Sequence, residues 1–344
     1  MKKTMRSMLF LVAFSMLFIA LGVSDVKSEK ASDGPKVKFT ITSASVTAGS
    51  LHDLYCEEIV TKLSERTNGR IQGQKLPGGS LGGEREMGEA LQLGTLDLAF
   101  LSDAGANALV GKMDWAMLPF IITDYETADD VYINGWINEE LAKQMLEKGL
   151  VRVAPAENGF RELCNVTRPV STVEDLKGLK IRVPDMPALV RFWELAGALP
   201  VALSTTEQAT ALQQGTIDGI DNGLYQHVTN GVADMLKYVT MTNHLYFASS
   251  GTASKIWWDS LTKEDQAIIT EVVNEAGANY RKAVRAADQS LLDDQLKSGT
   301  WVLNEMSPEL VEHLKKCGQQ VLNEFEKNYD PAIIEKVKTE FGLN

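Results

Sequence analysis

The 344-residue chain lacks most of the short motifs from which enzymes can be recognised. It has no H-E-x-x-H pair, no C-x-x-C pair and no P-loop lysine after a run of glycines. Metalloprotease, dithiol-redox and nucleotide-hydrolysing functions therefore find no support. The four histidines are too far apart to form a ligand pair at helical spacing: His52, His227, His244 and His313. We expect no catalysis, no metal and no cofactor.

Cysteine is also scarce. Cys56, Cys164 and Cys317 are too few and too scattered for a disulfide framework or a metal cluster. One pair could form in an oxidising compartment, but the sequence does not choose which. The simpler interpretation is three buried free thiols, because free cysteine behaves as a small hydrophobe.

The chain has no excess of positive charge. Its formal net charge is −12, and residues 1–24 carry three cations and no acid, so removing them gives −12 − 3 = −15. This balance argues against nucleic acid or anionic lipid as a partner. It does not exclude an anionic ligand, because charges on the surface are screened over about 10 Å whereas a buried arginine acts locally.

Residues 1–24 have the pattern of a secretory signal peptide. Lys2, Lys3 and Arg6 precede an apolar run over residues 8–23, and Gly22-Val23-Ser24 offers a small-x-small cleavage site. We expect the mature protein to be exported and soluble. An uncleaved anchor is the alternative, and no cysteine follows the run to carry a lipid.

Strand-like and helix-like segments alternate, which is typical of an α/β fold. The length suggests two domains, and no low-complexity linker separates them, so we expect the chain to cross between them more than once. Strands are predicted at 37–42, 96–101, 150–154, 238–241 and 245–254. Helices are predicted at 51–66, 128–147, 187–196 and 206–214.

A much longer helix is predicted over residues 263–297. Thr262 can cap it, Gly299 can end it, and apolar residues keep helical spacing between them. Without a break it would span about 50 Å, which exceeds one small domain. The alternative is two helices that break near Gly277.

The stretch from Gly159 to Asn222 is the most informative part of the chain. Arg182 lies in the short strand LKIRVP, opposite the face shared by Leu179, Ile181 and Val183. A guanidinium in this position can bind a carboxylate through two parallel, charge-assisted hydrogen bonds. An ordinary surface arginine is the competing interpretation.

Arg161 lies beside a glycine and an aromatic residue, in a segment that also reads as a strand. It could be a second anion-binding arginine, or a surface arginine paired with Glu162. Asn222 could supply an amide to the same ligand, or be a turn residue. The loop LPGGSLGGEREMGEAL fits no phosphate-binding pattern, so Glu84 and Glu86 are read as charges that favour a helix N-terminus.

Together these motifs resemble the extracytoplasmic solute-binding protein of a tripartite ATP-independent periplasmic (TRAP) transporter. The resemblance covers residues 36–341 and lies in the order of the motifs: NGRI, PGGSLGGERE, LQLGTLDLAF, LPF, GFRELCN, DLKGLKIRVP and LQQGTIDGIDN, followed by the long helix. It implies that Arg182 is the principal carboxylate clamp. Arg161 corresponds to the second site arginine, and Asn222 to the site asparagine.

The resemblance also implies four further positions near a ligand. Ser102 and Thr205 fall where sialic-acid-binding members carry a glutamate and a phenylalanine, which favours a smaller and more polar ligand here. Ser43 and His52 lie in the family's first-strand-and-helix wall, beside an apparent small insertion.

The implied fold is a two-lobed α/β fold of the periplasmic-binding-protein type, with crossing strands and a long helix that spans both lobes. Lobe I would comprise residues 36–158 plus 248–287, and lobe II residues 159–247 plus 288–344. The protein would be a periplasmic monomer that binds a small organic anion and delivers it to the membrane subunits of a TRAP transporter. A carboxylate is the expected head group, and sulfonate or phosphate remain open. A sensor, an enzyme on a similar fold and a binding protein for an ATP-driven importer are the alternatives.

Overall fold

The computed structural model describes residues 34–343. The predicted signal peptide, residues 1–24, therefore lies outside the described residues. Within the described range, no helix combines the length and the apolar character needed to cross a membrane.

A single mixed sheet of nine strands organises the fold, in the order β2-β1-β3-β8-β4-β7-β5-β6, with β9 pairing with β8. The strands are β1 (Val37–Ser43), β2 (Ile71–Lys75), β3 (Leu98–Ser102), β4 (Leu150–Asn165), β5 (Lys180–Val183), β6 (Leu199–Ala202), β7 (Gly219–Asn222), β8 (Tyr238–Ser254) and β9 (Val302–Asn304).

Helices cover this sheet. They are α1 (Leu51–Arg66), α2 (Glu84–Leu93), α3 (Asp103–Val110), α4 (Tyr125–Thr127), α5 (Trp136–Glu147), α6 (Val173–Leu176), α7 (Pro187–Ala196), α8 (Gln208–Gln213), α9 (Leu224–Thr229), α10 (Lys255–Ser260), α11 (Lys263–Ser298), α12 (Pro308–Phe325) and α13 (Pro331–Phe341). Short 3₁₀ segments lie at Asp114–Met117, Thr205–Glu207, Ala233–Met235 and Glu326–Asn328, and a π-helical segment at Ala128–Ile133.

Two long antiparallel strands join the two halves of the molecule. β4 has 16 residues and β8 has 17. At one end β8 pairs with β3, and at the other end β4 pairs with β7. The lobe that contains β1, β2 and β3 and the lobe that contains β5, β6 and β7 therefore share these strands. The exact lobe boundaries given above stay a prediction.

The sequence prediction of these strands was incomplete. The strand predicted at 150–154 continues to Asn165, and the two strands predicted at 238–241 and 245–254 are one strand, β8. Asn243 has a positive φ of 42°, and the β4–β8 register shifts between Arg161 and Leu163. These irregularities interrupt the alternation of apolar and polar residues from which strands are predicted.

The long helix is present without a break. The Thr262 hydroxyl accepts from the Asp265 N–H at 3.1 Å, and Gly299 ends the helix with φ 76°. Gly277 lies inside α11, where a Cβ would come within 2.4 Å of the Pro155 carbonyl oxygen. This glycine therefore allows the helix to approach β4 closely. The alternative of two helices was wrong.

The helix predicted over 128–147 is instead two segments. The π-helical segment ends at Ile133, and α5 begins at Trp136. Gly135 separates them, and a Cβ there would come within 2.4 Å of the Asp130 carbonyl oxygen. Apolar residues keep helical spacing on both sides of this tight turn, so the sequence pattern predicted one continuous helix. The three cysteines are buried and unpaired, as the simpler interpretation predicted.

Candidate ligand-binding site

A cavity lies between the two lobes, beside the crossing strands. About 430 Å³ of empty space lies among its lining residues, and part of this space is open to solvent. Its wall includes Arg161, Arg182 and Asn222, and a larger cavity outside it shares Glu84 and Arg182. The sequence thus brings residues from the first, second and third quarters of the chain to one place.

Arg182 is a buried cation without a carboxylate partner among the described residues. Its side chain is held by main chain instead: Nε and Nη2 donate to the Leu203 carbonyl oxygen at 3.0 and 2.7 Å. In the amide orientation that satisfies its neighbours, Gln208 accepts from Arg182 Nη1 at 2.9 Å. A guanidinium has five N–H donors, so each terminal nitrogen keeps at least one for a ligand.

Burial is the main influence on the charge of Arg182. It lowers the pKa of the guanidinium to about 9, and the nearby charge of Arg161 acts in the same direction. The group remains charged at neutral pH. A desolvated charge with free donors is a strong binding element for an anion, because little water must be displaced from it.

Arg161 is almost completely buried and has a carboxylate partner. Its Nε donates to Asp221 Oδ1 at 2.6 Å, its Nη2 donates to the Asp221 carbonyl oxygen, and its guanidinium lies 4.5 Å from the centre of the Phe247 ring. Burial alone would raise the pKa of Asp221, but the charge of Arg161 and the contacts with His244 and Trp193 hold it well below its usual range. Arg161 and Asp221 therefore cancel each other's charge.

Asn222 follows Asp221 at the end of β7 and lines the cavity. Its Oδ1 accepts from the Gly223 N–H at 3.0 Å and from Arg161 Nη1 at 3.4 Å. With its oxygen occupied in this way, the side chain has its NH₂ group available as a donor to a ligand.

Glu84, the first residue of α2, contributes a carboxylate to the cavity wall. Its Oε1 accepts from the Ser102 N–H at 2.8 Å, and its Oε2 accepts from the Ser102 hydroxyl at 2.6 Å. Burial raises the pKa of Glu84, while these hydrogen bonds and the charge of Arg182 oppose that effect. Ser102 therefore holds Glu84 in position rather than lining the cavity.

His52 and Asn158 form another part of the wall, where the His52 ring packs against an aromatic side chain. The His52 ring lies 4.3 Å from the Phe100 ring centre, and burial lowers the pKa of His52 to about 4, with the Asn158 side chain opposing the shift. The imidazole is therefore neutral at pH 7. Neither ring nitrogen of His52, nor Asn158 Oδ1, has a hydrogen bond of standard geometry within the chain.

The two lobes touch at the rim of the cavity. The Ser45 hydroxyl donates to the Thr229 carbonyl oxygen at 2.8 Å, and the Thr47 hydroxyl donates to the Val228 carbonyl oxygen at 3.0 Å. These bonds join the loop after β1 to α9, which lies beside β7 in the sequence. The structure therefore represents a closed arrangement of the lobes.

Five of the seven residues predicted from the sequence line this cavity: Arg161, Arg182, Asn222, Thr205 and His52. Ser43 and Ser102 are buried outside it. Their role, like that of the other five, stays a prediction. No group of three or more histidines, cysteines or carboxylates in residues 34–343 is arranged to hold a metal ion.

Sequence reasoning missed three groups. Glu84 was read only as a helix N-terminal charge, a function that Glu86 performs by accepting from the Gly83 N–H at 2.8 Å. Asp221, the partner of Arg161, lies 60 positions from it. Asn158 follows Glu157 in a stretch that was not read as strand. The sequence held one signal for Asp221: it directly precedes the predicted ligand residue Asn222 in a strand. Neighbouring strand residues face opposite sides of the sheet, so Asp221 would be expected to face away from the ligand.

The chain has relatives among known proteins. The family described as bacterial extracellular solute-binding protein, family 7, matches residues 42–328. A solute-binding protein from Verminephrobacter eiseniae (strain EF01-2) is 31% identical over 288 residues, which is 83% of each chain.

Solved structures are similar as well. The TRAP periplasmic solute-binding protein from Polaromonas sp. JS666, bound to D-erythronate, is 29% identical with a TM-score of 0.81, covering 88% of this chain and 98% of that one. The TRAP periplasmic solute-binding protein from Sulfurospirillum deleyianum DSM 6946, with bound succinate, is 25% identical with a TM-score of 0.79, covering 89% and 99%. These similarities confirm the predicted two-lobed fold and the predicted family.

Proposed function

Since the chain belongs to the family 7 bacterial extracellular solute-binding proteins, we propose that it binds a small organic anion in the cavity between its lobes and delivers it to the membrane subunits of a TRAP transporter. The observation that carries this proposal is Arg182, a buried guanidinium that forms no ion pair with a carboxylate of the described chain. Similar proteins have D-erythronate and succinate bound, which supports a carboxylate head group.

Arg182 is the proposed anchor for that head group. Its remaining N–H groups, one at least on each terminal nitrogen, suit two oxygens of one carboxylate or sulfonate. The free NH₂ group of Asn222 and the remaining donor of Arg161 Nη1 would contact the same anion. Removing water from between an arginine and the bound anion strengthens the attraction between their charges.

Closure of the lobes is the proposed mechanism. Arg182, Arg161 and Asn222 belong to the lobe of β5 and β7, or to the crossing strand β4, while Glu84 and His52 come from the other lobe. A ligand that contacts both sets binds the closed form better and shifts the population toward it. The closed form would then be recognised by the membrane subunits.

Recognition without chemistry is part of the proposal. The letters Gly78-Gly79-Ser80-Leu81-Gly82 match the pattern of a hydrolase nucleophile, but Ser80 is exposed in a turn between β2 and α2 and does not line the cavity. The lining hydroxyl of Ser45 is hydrogen-bonded to the Thr229 carbonyl oxygen and to Ser50. Neither ring nitrogen of His52 makes a hydrogen bond of standard geometry to Ser45 or to any other described residue.

The remaining expectations belong to the same proposal. We infer that residues 1–24 direct export, that the mature protein is a periplasmic monomer, and that its lobes comprise residues 36–158 plus 248–287 and 159–247 plus 288–344. The acidic balance of the chain supports a soluble exported protein with no affinity for nucleic acid.

A thermal-shift screen of the purified protein tests the function. A ligand present at a hundredfold excess over its dissociation constant stabilises the folded state by about 2.7 kcal/mol, so carboxylates, sulfonates and phosphate esters can be compared by melting temperature. We expect at least one small organic anion to raise it. If none does, the proposed function is wrong.

A further inference from the structure

We infer that the cavity selects a short acid that carries a single negative charge and at least one hydroxyl group, in preference to a dicarboxylate. This inference rests on the proposed function and names the class of ligand for the same site. It follows from three features of the wall: the number of unpaired cations, the presence of one carboxylate, and hydrogen-bond acceptors that a ligand hydroxyl can satisfy and an ionised carboxylate cannot.

The cavity offers one unpaired positive charge. Two arginines are among its lining residues, and Asp221 neutralises Arg161 through the 2.6 Å bond from Nε. Arg182 is left for a ligand, and His52 adds no charge because burial lowers its pKa to about 4. One carboxylate or sulfonate group is sufficient to neutralise Arg182. A second carboxylate on the same ligand would have no cationic partner in the wall.

Glu84 makes a second carboxylate unfavourable. The Ser102 hydroxyl accepts from the Gly105 N–H at 3.0 Å, so its own proton is free to be donated to Glu84 Oε2. The Glu84 carboxylate accepts from both the N–H and the hydroxyl of Ser102, and these bonds, with the charge of Arg182, favour its ionised form and oppose the rise in pKa that burial causes. Two carboxylates brought together in a buried site repel each other strongly.

The wall also presents acceptors in need of donors. Asn158 Oδ1 is buried beside the His52 imidazole and makes no hydrogen bond of standard geometry among the described residues, and the Glu84 carboxylate can accept further bonds on its remaining lone pairs. An ionised dicarboxylate has no proton to donate and would leave these groups desolvated and unsatisfied. A hydroxyl group donates and accepts, and so suits this mixture of acceptors and amides.

The size of the cavity points to a short ligand. The figure of about 430 Å³ counts all empty space among the lining residues, including the part open to solvent, so the space closed off for a ligand is smaller. The bond from Thr47 to the Val228 carbonyl oxygen already closes the rim. A short hydroxylated carboxylate and a short hydroxylated sulfonate share the required chemistry.

Titration calorimetry with matched probes tests the inference on the wild-type protein. Glycerate is compared with propionate, which lacks the hydroxyls, and with succinate, which has a second carboxylate. The pair 2-hydroxyethanesulfonate and ethanesulfonate gives the same hydroxyl comparison for a sulfonate. We expect the hydroxylated member of at least one pair to bind about tenfold or more tightly than its analogue, and succinate to bind at least about tenfold more weakly than that hydroxy acid.

The substitution Glu84→Gln removes the charge while retaining an oxygen for the Ser102 N–H. We expect it to reduce the preference for the hydroxy monoanion over succinate by about tenfold, whereas Glu89→Gln, farther along α2, leaves the preference unchanged. Succinate binding as tightly as the hydroxy acids, or no effect of the hydroxyls, overturns the inference and leaves the proposed function intact. If no anion in the wider screen binds, both are wrong.

Discussion

Arg161 Nε donates a 2.6 Å hydrogen bond to Asp221 Oδ1, and both side chains are almost completely buried. The neighbouring Arg182 has no such carboxylate partner within residues 34–343. The two arginines therefore differ in function although they look alike in the sequence. In the proposed function, Arg161 stabilises the fold and shapes the cavity with Asp221, whereas Arg182 supplies the charge that a ligand neutralises.

Replacing Arg161 should destabilise the protein strongly. Arg161→Ala leaves Asp221 buried without its cation, and breaking a buried pair in this way costs about 3–5 kcal/mol. Chemical denaturation measures the loss. Arg191→Ala is the control, because Arg191 pairs with Glu324 at the surface, where water screens the attraction and little stability is lost when the pair is broken. Equal effects of the two substitutions would contradict the structural role of Arg161.

The bond from the Thr47 hydroxyl to the Val228 carbonyl oxygen should favour the closed form. Thr47→Val removes it with little change of shape, and a hydrogen bond of this kind contributes about 0.5–1.5 kcal/mol. We expect the ligand to dissociate roughly two- to tenfold faster in stopped-flow measurements. Thr270→Val, on an exposed part of α11, serves as the control. An unchanged dissociation rate would show that this bond does not hold the lobes together.

The stability of Gly277→Ala tests whether close packing of α11 against β4, or helix propensity alone, decides the effect of a side chain at this position. On propensity alone, alanine in place of glycine would stabilise a helix by about 1 kcal/mol. Here the added Cβ would lie 2.4 Å from the Pro155 carbonyl oxygen, so we expect a net loss of unfolding free energy. An increase in stability would mean that the helix does not approach β4 as closely as the structure shows.

Stability should depend on pH through Glu162. Burial raises the pKa of this group from 4.5 to about 8, with the Asn243 and Thr242 hydrogen bonds opposing the shift. Because the folded-state pKa lies above the unfolded one, the contribution of Glu162 is fully present below about pH 4.5. It is lost as the pH rises to about 8, by up to about 1.4 kcal/mol per pH unit.

Glu162→Gln cannot titrate, so its stability should fall less than that of the wild type between about pH 5 and 8. The glutamine can still accept from the Asn243 N–H, which donates to Glu162 at 2.9 Å. Urea denaturation at several pH values measures both proteins. Parallel stability curves would rule out a raised pKa at Glu162.

Local patterns were sufficient to predict the parts of the fold that repeat along the chain. The capping residue Thr262, the terminal Gly299 and the apolar spacing between them predicted α11, and strand alternation placed Arg182 opposite its apolar neighbours. The pairings Arg161–Asp221 and Glu84–Ser102 could not be predicted in this way. They join positions 60 and 18 residues apart, and only the folded sheet brings them together.

The most direct test of the account is the affinity of Arg182→Lys for the anion identified by the thermal-shift screen. Lysine retains the charge but cannot form two parallel hydrogen bonds, so we expect a loss of about tenfold to a hundredfold or more in titration calorimetry. Arg168→Lys is the matched control, because Arg168 also donates to main-chain oxygens, those of Asp175 and Lys177, outside the cavity. Wild-type affinity in Arg182→Lys would contradict the claim that the Arg182 guanidinium is the anion clamp.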